Sequence, residues 1–151
     1  LSSSWAIQLA AEGKTVSDEM LAQFVRIAES DPSALVRLYL VSAMLRLEPE
    51  KSWEVMEALV QHTEDLEDHN MPLMLWYAIE PLASLDADRA LTLSQKASNP
   101  MILKYTVQKL GELNTPEAVT ALLKLKDSLE ESNSHSSHEL NMQLSNLNLE
   151  P

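Results

Sequence analysis

The sequence predicts an all-α protein, a stack of about three to four antiparallel helix pairs forming an α-solenoid. Three observations carry this expectation. The chain has only 2 Gly among 151 residues against 45% apolar residues, a composition of helix formers that leaves little hairpin chemistry. Apolar side chains recur at three- and four-residue spacing along nearly the whole length, which is the period of an amphipathic helix. The interruptions fall at Pro, Gly, Asn and Asp and are only a few residues long, so consecutive helices must double back on each other.

Eight helical segments follow in order. The first covers residues 3–12 and stops at Gly13, which accepts the left-handed conformation at a helix end. Ser17 or Asp18 caps the second, whose buried side carries Met20, Leu21, Phe24, Val25 and Ile27, and Pro32 disfavours helix at Asp31. The third spans 33–47. The fourth, 50–62, places Trp53, Met56, Leu59 and Val60 on one stripe with Glu54, Glu57 and Gln61 outside. The fifth, 70–85, tolerates Pro72 in its first turn, but Pro81 removes a backbone hydrogen bond and opposes the Tyr77 carbonyl, so a kink is expected near 77–81. Segments 86–97, 100–113 and 116–130 complete the array.

Shorter amphipathic helices alternate with longer, more apolar ones. The latter align in one column as Trp5-Ala6-Ile7, Tyr39-Leu40-Val41, Tyr77-Ala78-Ile79 and Thr106-Val107-Gln108, at offsets of about 34, 38 and 29 residues. A unit of this kind cannot bury its apolar stripe alone, so stacking on its neighbours supplies the core. Residues 1–130 are therefore read as one helical-repeat domain. Residues 131–151, rich in Ser, Asn and His, are read as a polar linker with one weakly docked turn suggested by Leu140, Leu144 and Leu147.

Composition excludes several functions. A formal net charge of −12 with scattered Lys and Arg supplies no basic patch to neutralise phosphates, so no nucleic-acid partner is expected. The longest uncharged apolar run, 71–79, is about half of the ~20 residues a spanning helix needs, and no direct membrane insertion is expected. Without cysteine the chain has no thiolate catalysis, disulfide, Cys-ligated zinc or covalently attached haem. The chain begins with Leu1 rather than Met and shows no charged segment followed by an apolar run at its start, so no signal peptide is read there, and the chain is expected to be part of a longer protein.

The block Asp31-Pro32-Ser33-Ala34-Leu35-Val36-Arg37 resembles the HEAT-repeat pattern, in which Asp-Pro opens the second helix and Val-Arg sits one turn in. The segment Glu67-Asp68-His69-Asn70-Met71-Pro72-Leu73-Met74-Leu75-Trp76-Tyr77-Ala78-Ile79-Glu80-Pro81-Leu82 is preceded by Val36-Arg37-Leu38-Tyr39-Leu40-Val41-Ser42-Ala43. Together they resemble the helical region of large planctomycete- and verrucomicrobial-type proteins described as membrane-bound dehydrogenases with a haem-binding Cys-x-x-Cys-His domain. The resemblance covers about residues 3–113. It implies a non-catalytic scaffold between a β-propeller and a cytochrome c module, an extracytoplasmic or periplasmic location, and haem only in a separate domain of the parent protein. The partners implied are other domains of that protein. The alternative is a free-standing module that binds a protein or peptide.

No catalytic, cofactor or metal site is expected in this chain. The acidic run Glu64, Asp65, Glu67 and Asp68 with His69 could supply carboxylate oxygens to a divalent cation. It lacks the glycine and ligand spacing of a calcium loop, and carboxylates before a helix start favour the helix dipole, with Asp68 or Asn70 as the cap. His69, Trp76 and Glu80 fall near one face of the fifth helix, where an imidazole and a carboxylate could exchange protons. The simpler assignment packs Trp76 between layers and pairs Glu80 with backbone freed by Pro81 or with Arg37. Arg37 and Lys104 are read as equivalent cations tying neighbouring units. His135 and His138, three residues apart in a Ser-rich tail, are too few to hold a metal. The third and fifth helices, with Tyr39 and Tyr77, are apolar nearly all round. A row of such helices would be left facing water, so either another domain covers it or tight superhelical curvature with the Pro81 kink buries both faces internally.

Overall fold

The computed structural model describes residues 16–65, 68–132 and 138–149, and all of them that are regular are helical. The predicted helix at 3–12 lies outside the described residues. The described helices are α1 (Asp18–Ser30), α2 (Ala34–Met44), α3 (Trp53–Leu59), α4 (Met71–Leu85), α5 (Ala87–Lys96), α6 (Pro100–Leu113), α7 (Pro116–Ser132) and α8 (His138–Ser145). Single 3₁₀ turns at Pro49–Lys51 and Thr63–Asp65 flank α3.

The starts are chemically marked. The side chains of Ser17, Ser33, Asp86, Asn99 and Thr115 accept hydrogen bonds from the amides of Met20, Val36, Arg89, Met101 and Ala118, satisfying amides that have no partner within the helix. α6 ends at Asn114, which takes the left-handed conformation (φ 49°). That conformation tolerates Asn better than most side chains. α4 continues through Pro81, whose ring lies on the exposed side.

Each helix packs on its sequence neighbours and on the helix two places along: α1 on α3, α3 on α5 and α5 on α7, and likewise α2 on α4 and α4 on α6. The odd-numbered helices thus form one row and α2, α4 and α6 another, with a single apolar core between them. Leu40, Val41, Met56, Ile79, Leu82, Ile102, Leu110 and Leu122 are buried in that core. The fourth predicted segment behaves as its stripe requires: Trp53, Met56, Leu59 and Val60 are buried, while Glu54 and Gln61 are exposed.

Burial also corrects the predicted column. Leu40, Val41 and Met44 occupy the same relative positions as Ala78, Ile79 and Leu82 and as Thr106, Val107 and Leu110, and all nine are buried. Gln108 is exposed where Val41 and Ile79 are not. The last helix of the column therefore starts one residue earlier, so that Tyr39, Tyr77 and Tyr105 are equivalent. Arg37 then aligns with Leu75 and Leu103, not with Lys104, which is exposed. Thr106 fits the core because its hydroxyl bonds the Ile102 carbonyl (2.8 Å) and the buried Ser94 hydroxyl (2.7 Å), leaving no unpaired polar atom to oppose burial.

Candidate interaction surface

Of the residues singled out in the sequence, Trp76, Tyr77 and Glu80 lie on α4 and Asp68, His69 and Asn70 immediately precede it. Asp68 is the true cap: its Oδ1 accepts from the Asn70 amide (2.8 Å) and the Met71 amide (2.9 Å). Those two donors, Met71 first, hold its carboxyl below the usual aspartate range. Asn70 makes no side-chain cap bond, and both it and His69 are exposed. The acidic run divides by role. Asp65 is buried against Arg37, Asp68 caps α4, and Glu67 lies outside the described residues. Among the described residues no group of three His, Cys, Asp or Glu side chains is placed to hold a metal ion.

Arg37 belongs to the interior. It is 1% exposed, and its Nε and Nη2 donate to the two oxygens of Asp65 at 2.7 and 2.9 Å. Its Nη1 donates to the Asp31 carbonyl at 3.0 Å. One guanidinium thus ties the C-terminal end of α1 to the turn after α3. The hydrogen-bonded Asp65 carboxylate raises the Arg37 pKa further. Beside it, His62 bonds the Ala28 carbonyl through Nε2 and Glu64 through Nδ1 (3.2 Å). Of the two partners expected for Glu80, backbone freed by Pro81 or Arg37, the second is therefore corrected, since Arg37 pairs with Asp65. Glu80 meets Lys109 of α6 instead, at 3.6 Å. His69 and Glu80 are not brought together, since the ten residues from Asn70 to Glu80 span about 15 Å along a helix.

Trp76 packs between α4 and α6, edge to face with Tyr105 (centroids 5.6 Å, interplanar 62°). The two rings, with Glu80, Gln108, Lys109 and Glu112, line a shallow groove of about 260 Å³. Tyr105 was missed by reading the sequence. Aligning the three tyrosines, rather than the apolar triplets, would have found it.

Beside this groove α2 and α4 present an apolar surface. Leu35, Leu73 and Tyr77 are 57%, 45% and 58% exposed, and Leu38 and Tyr39 are half-buried next to them. Leu73 and Tyr77 are four residues apart and so stand on one side of α4. The odd row contrasts with this. Between α1 and α3 a groove of about 570 Å³ is lined by Glu29, Glu54, Glu57 and Glu64. There Glu57 is engaged by Arg89 (2.6 Å), whose guanidinium also lies 4.8 Å from the centre of the Trp53 ring. The α1–α3 groove is thus rich in carboxylates, whereas the face of α2 and α4 is apolar.

No helix among the described residues is long and apolar enough to cross a membrane. The chain matches no family model, no curated protein and no solved structure.

Proposed function

We propose that this chain is a non-catalytic HEAT-like α-solenoid of about three to four helix pairs, a scaffold that positions neighbouring domains of a larger dehydrogenase-cytochrome protein. The observation that carries the docking role is the exposed face of Leu35, Leu73 and Tyr77 beside the Trp76 and Tyr105 rings. Tyr, Trp and Leu side chains held on packed helices give contact area at little entropic cost. A monomer gains nothing by leaving them in water. The alternation of helix contacts supports the solenoid reading. The dehydrogenase context rests on the resemblance of residues 3–113, and with it go an extracytoplasmic location and haem confined to a separate module. Residues 1–130 would form the scaffold and 131–151 a linker that carries the docked helix α8.

Two measurements test this. The complete coding region should place a β-propeller before this segment and a Cys-x-x-Cys-His module after it; a gene with neither points to a free-standing protein-binding module. In the complete protein, hydroxyl-radical labelling of Tyr77 and Leu73 should fall several-fold relative to the isolated chain, and Leu73→Glu with Tyr77→Glu should restore labelling of the neighbouring Leu35. Equal labelling of wild-type Tyr77 in both contexts would show that no domain covers the face.

A further inference from the structure

Within residues 131–151, read from the sequence as a polar linker with one weakly docked turn, the structure places the helix α8 in a defined seat. Leu144 of α8 is 1% exposed, and Leu140 and Leu147 pack against the core. Leu140 and Leu144 stand one turn apart on the same side of α8, Leu147 follows in the turn that ends it, and Met142 on another side is 56% exposed. α8 packs on α7 and is fastened to α6 at two points. Gln143 Nε2 donates to the Lys104 carbonyl at 2.9 Å. Leu147 lies over Gly111, where an added Cβ would sit 2.7 Å from its Cδ2. Because both pairs advance together along the chain, α8 runs in the same sense as α6.

Gly111 shows that this seat is built. It lies within α6 and does not adopt a positive φ, so the backbone does not require glycine. A glycine inside a helix costs about 1 kcal/mol relative to alanine. Its use is the space it leaves for Leu147. The occupant, in contrast, is weakly held. An eight-residue helix is far below the ~12–15 residues at which isolated helices become even marginal, and of its side chains only Leu144 is buried. α8 therefore depends on the seat for its structure, while the seat, formed by the longer α6 and α7, does not depend on α8 in the same degree.

We propose that the flank of α6 and α7 around Gly111 is a helix-binding groove, and that α8 is its built-in, displaceable occupant. The ligand class is an amphipathic helix with Leu at i, i+4 and i+7 and an amide side chain at i+3 that reaches the Lys104 carbonyl. While tethered, α8 competes with any such helix at a high effective concentration, so the groove is autoinhibited. A second helix gains access when α8 is released.

The test uses the full chain and a peptide of residues 138–149 as the probe. In Leu144→Asp, and separately in the milder Leu147→Asp, α8 leaves its seat. Millimolar peptide should then shift the amide resonances of Lys104 and Gly111. Wild-type protein should bind the peptide at least ~10-fold more weakly, because the tethered copy must first be displaced. Adding Gly111→Val to either variant should abolish the shifts by filling the Leu147 seat. The proposal is overturned if both variants stay folded and neither responds to the peptide, or if wild type binds equally well. It is also overturned if both variants lose the core resonances of Ile79 and Leu110, since α8 would then be part of the core rather than a displaceable occupant.

Discussion

Replacing Arg37 with Met should be among the most damaging single changes in this protein. The guanidinium makes three hydrogen bonds, two to Asp65 and one to the Asp31 carbonyl, and neither charged partner is more than 8% exposed. Methionine fills much of the same volume, so the loss is electrostatic rather than a cavity. The substitution leaves the Asp65 carboxylate buried without a counter-charge, which costs about 3–5 kcal/mol. That is a large part of a total stability on the order of 5–15 kcal/mol. The melting temperature should fall by roughly 10 °C for a chain of this size. Removing the charge at the other end with Asp65→Leu should cost a similar amount, because the buried cation is then the orphan. The double variant should recover most of the loss, since two apolar side chains in place of a buried pair are often neutral or stabilising. Urea unfolding followed by circular dichroism at 222 nm, applied to all four proteins, gives the coupling directly. Additive losses, or a loss below about 1 kcal/mol for Arg37→Met, would refute the view that one desolvated pair joins α1 to the turn after α3.

Two further outcomes are expected. Pro81→Ala should raise stability by about 1–3 kcal/mol, because it restores an amide donor within α4 on the exposed side without disturbing the core; a lower urea midpoint would show that the proline is needed to shape the aromatic face. Acidification should destabilise the fold through Asp68 and Glu64, whose carboxyls are held below their ordinary values, Asp68 by the amides of Met71 and Asn70 and Glu64 chiefly by its own amide, with help from His62. A depressed carboxyl contributes stability above its unfolded pKa and loses it as pH falls through the folded value. Stability should therefore be level near neutrality and decline below the ordinary carboxylate range. Asp68→Asn should flatten that decline, and an unchanged pH slope would argue against the cap.

Seven of the described helices and several of their starts were legible because local chemistry decides them, whereas the segments expected at 33–47 and 50–62 are shorter, with α2 ending at Met44 and α3 covering only Trp53–Leu59. Ser17 caps α1 whatever lies around it, Pro32 cannot sit beyond a helix that continues through Asp31, and a strong stripe such as that of α3 has only one way to face a core. For that reason the Trp53, Met56 and Leu59 stripe could be read from the residues alone.

What the residues alone left open was every choice between equivalent faces and every partner distant in sequence. α4 is apolar nearly all round, so its periodicity carries no asymmetry from which to learn that Ile79 turns inward and Tyr77 outward; packing against α2 and α6 makes that selection. Arg37 could reach a carboxylate on either neighbouring segment, and only the closure of the chain brings Asp65 to it, 28 residues away. The leucines of α8 are too few to form a helix on their own and become one through the seat at Gly111. Sequence thus determined where α1 to α7 lie and how polar their surfaces are. The tertiary structure decided which apolar side chains remain in water, because burial there depends on neighbours that the local pattern does not encode.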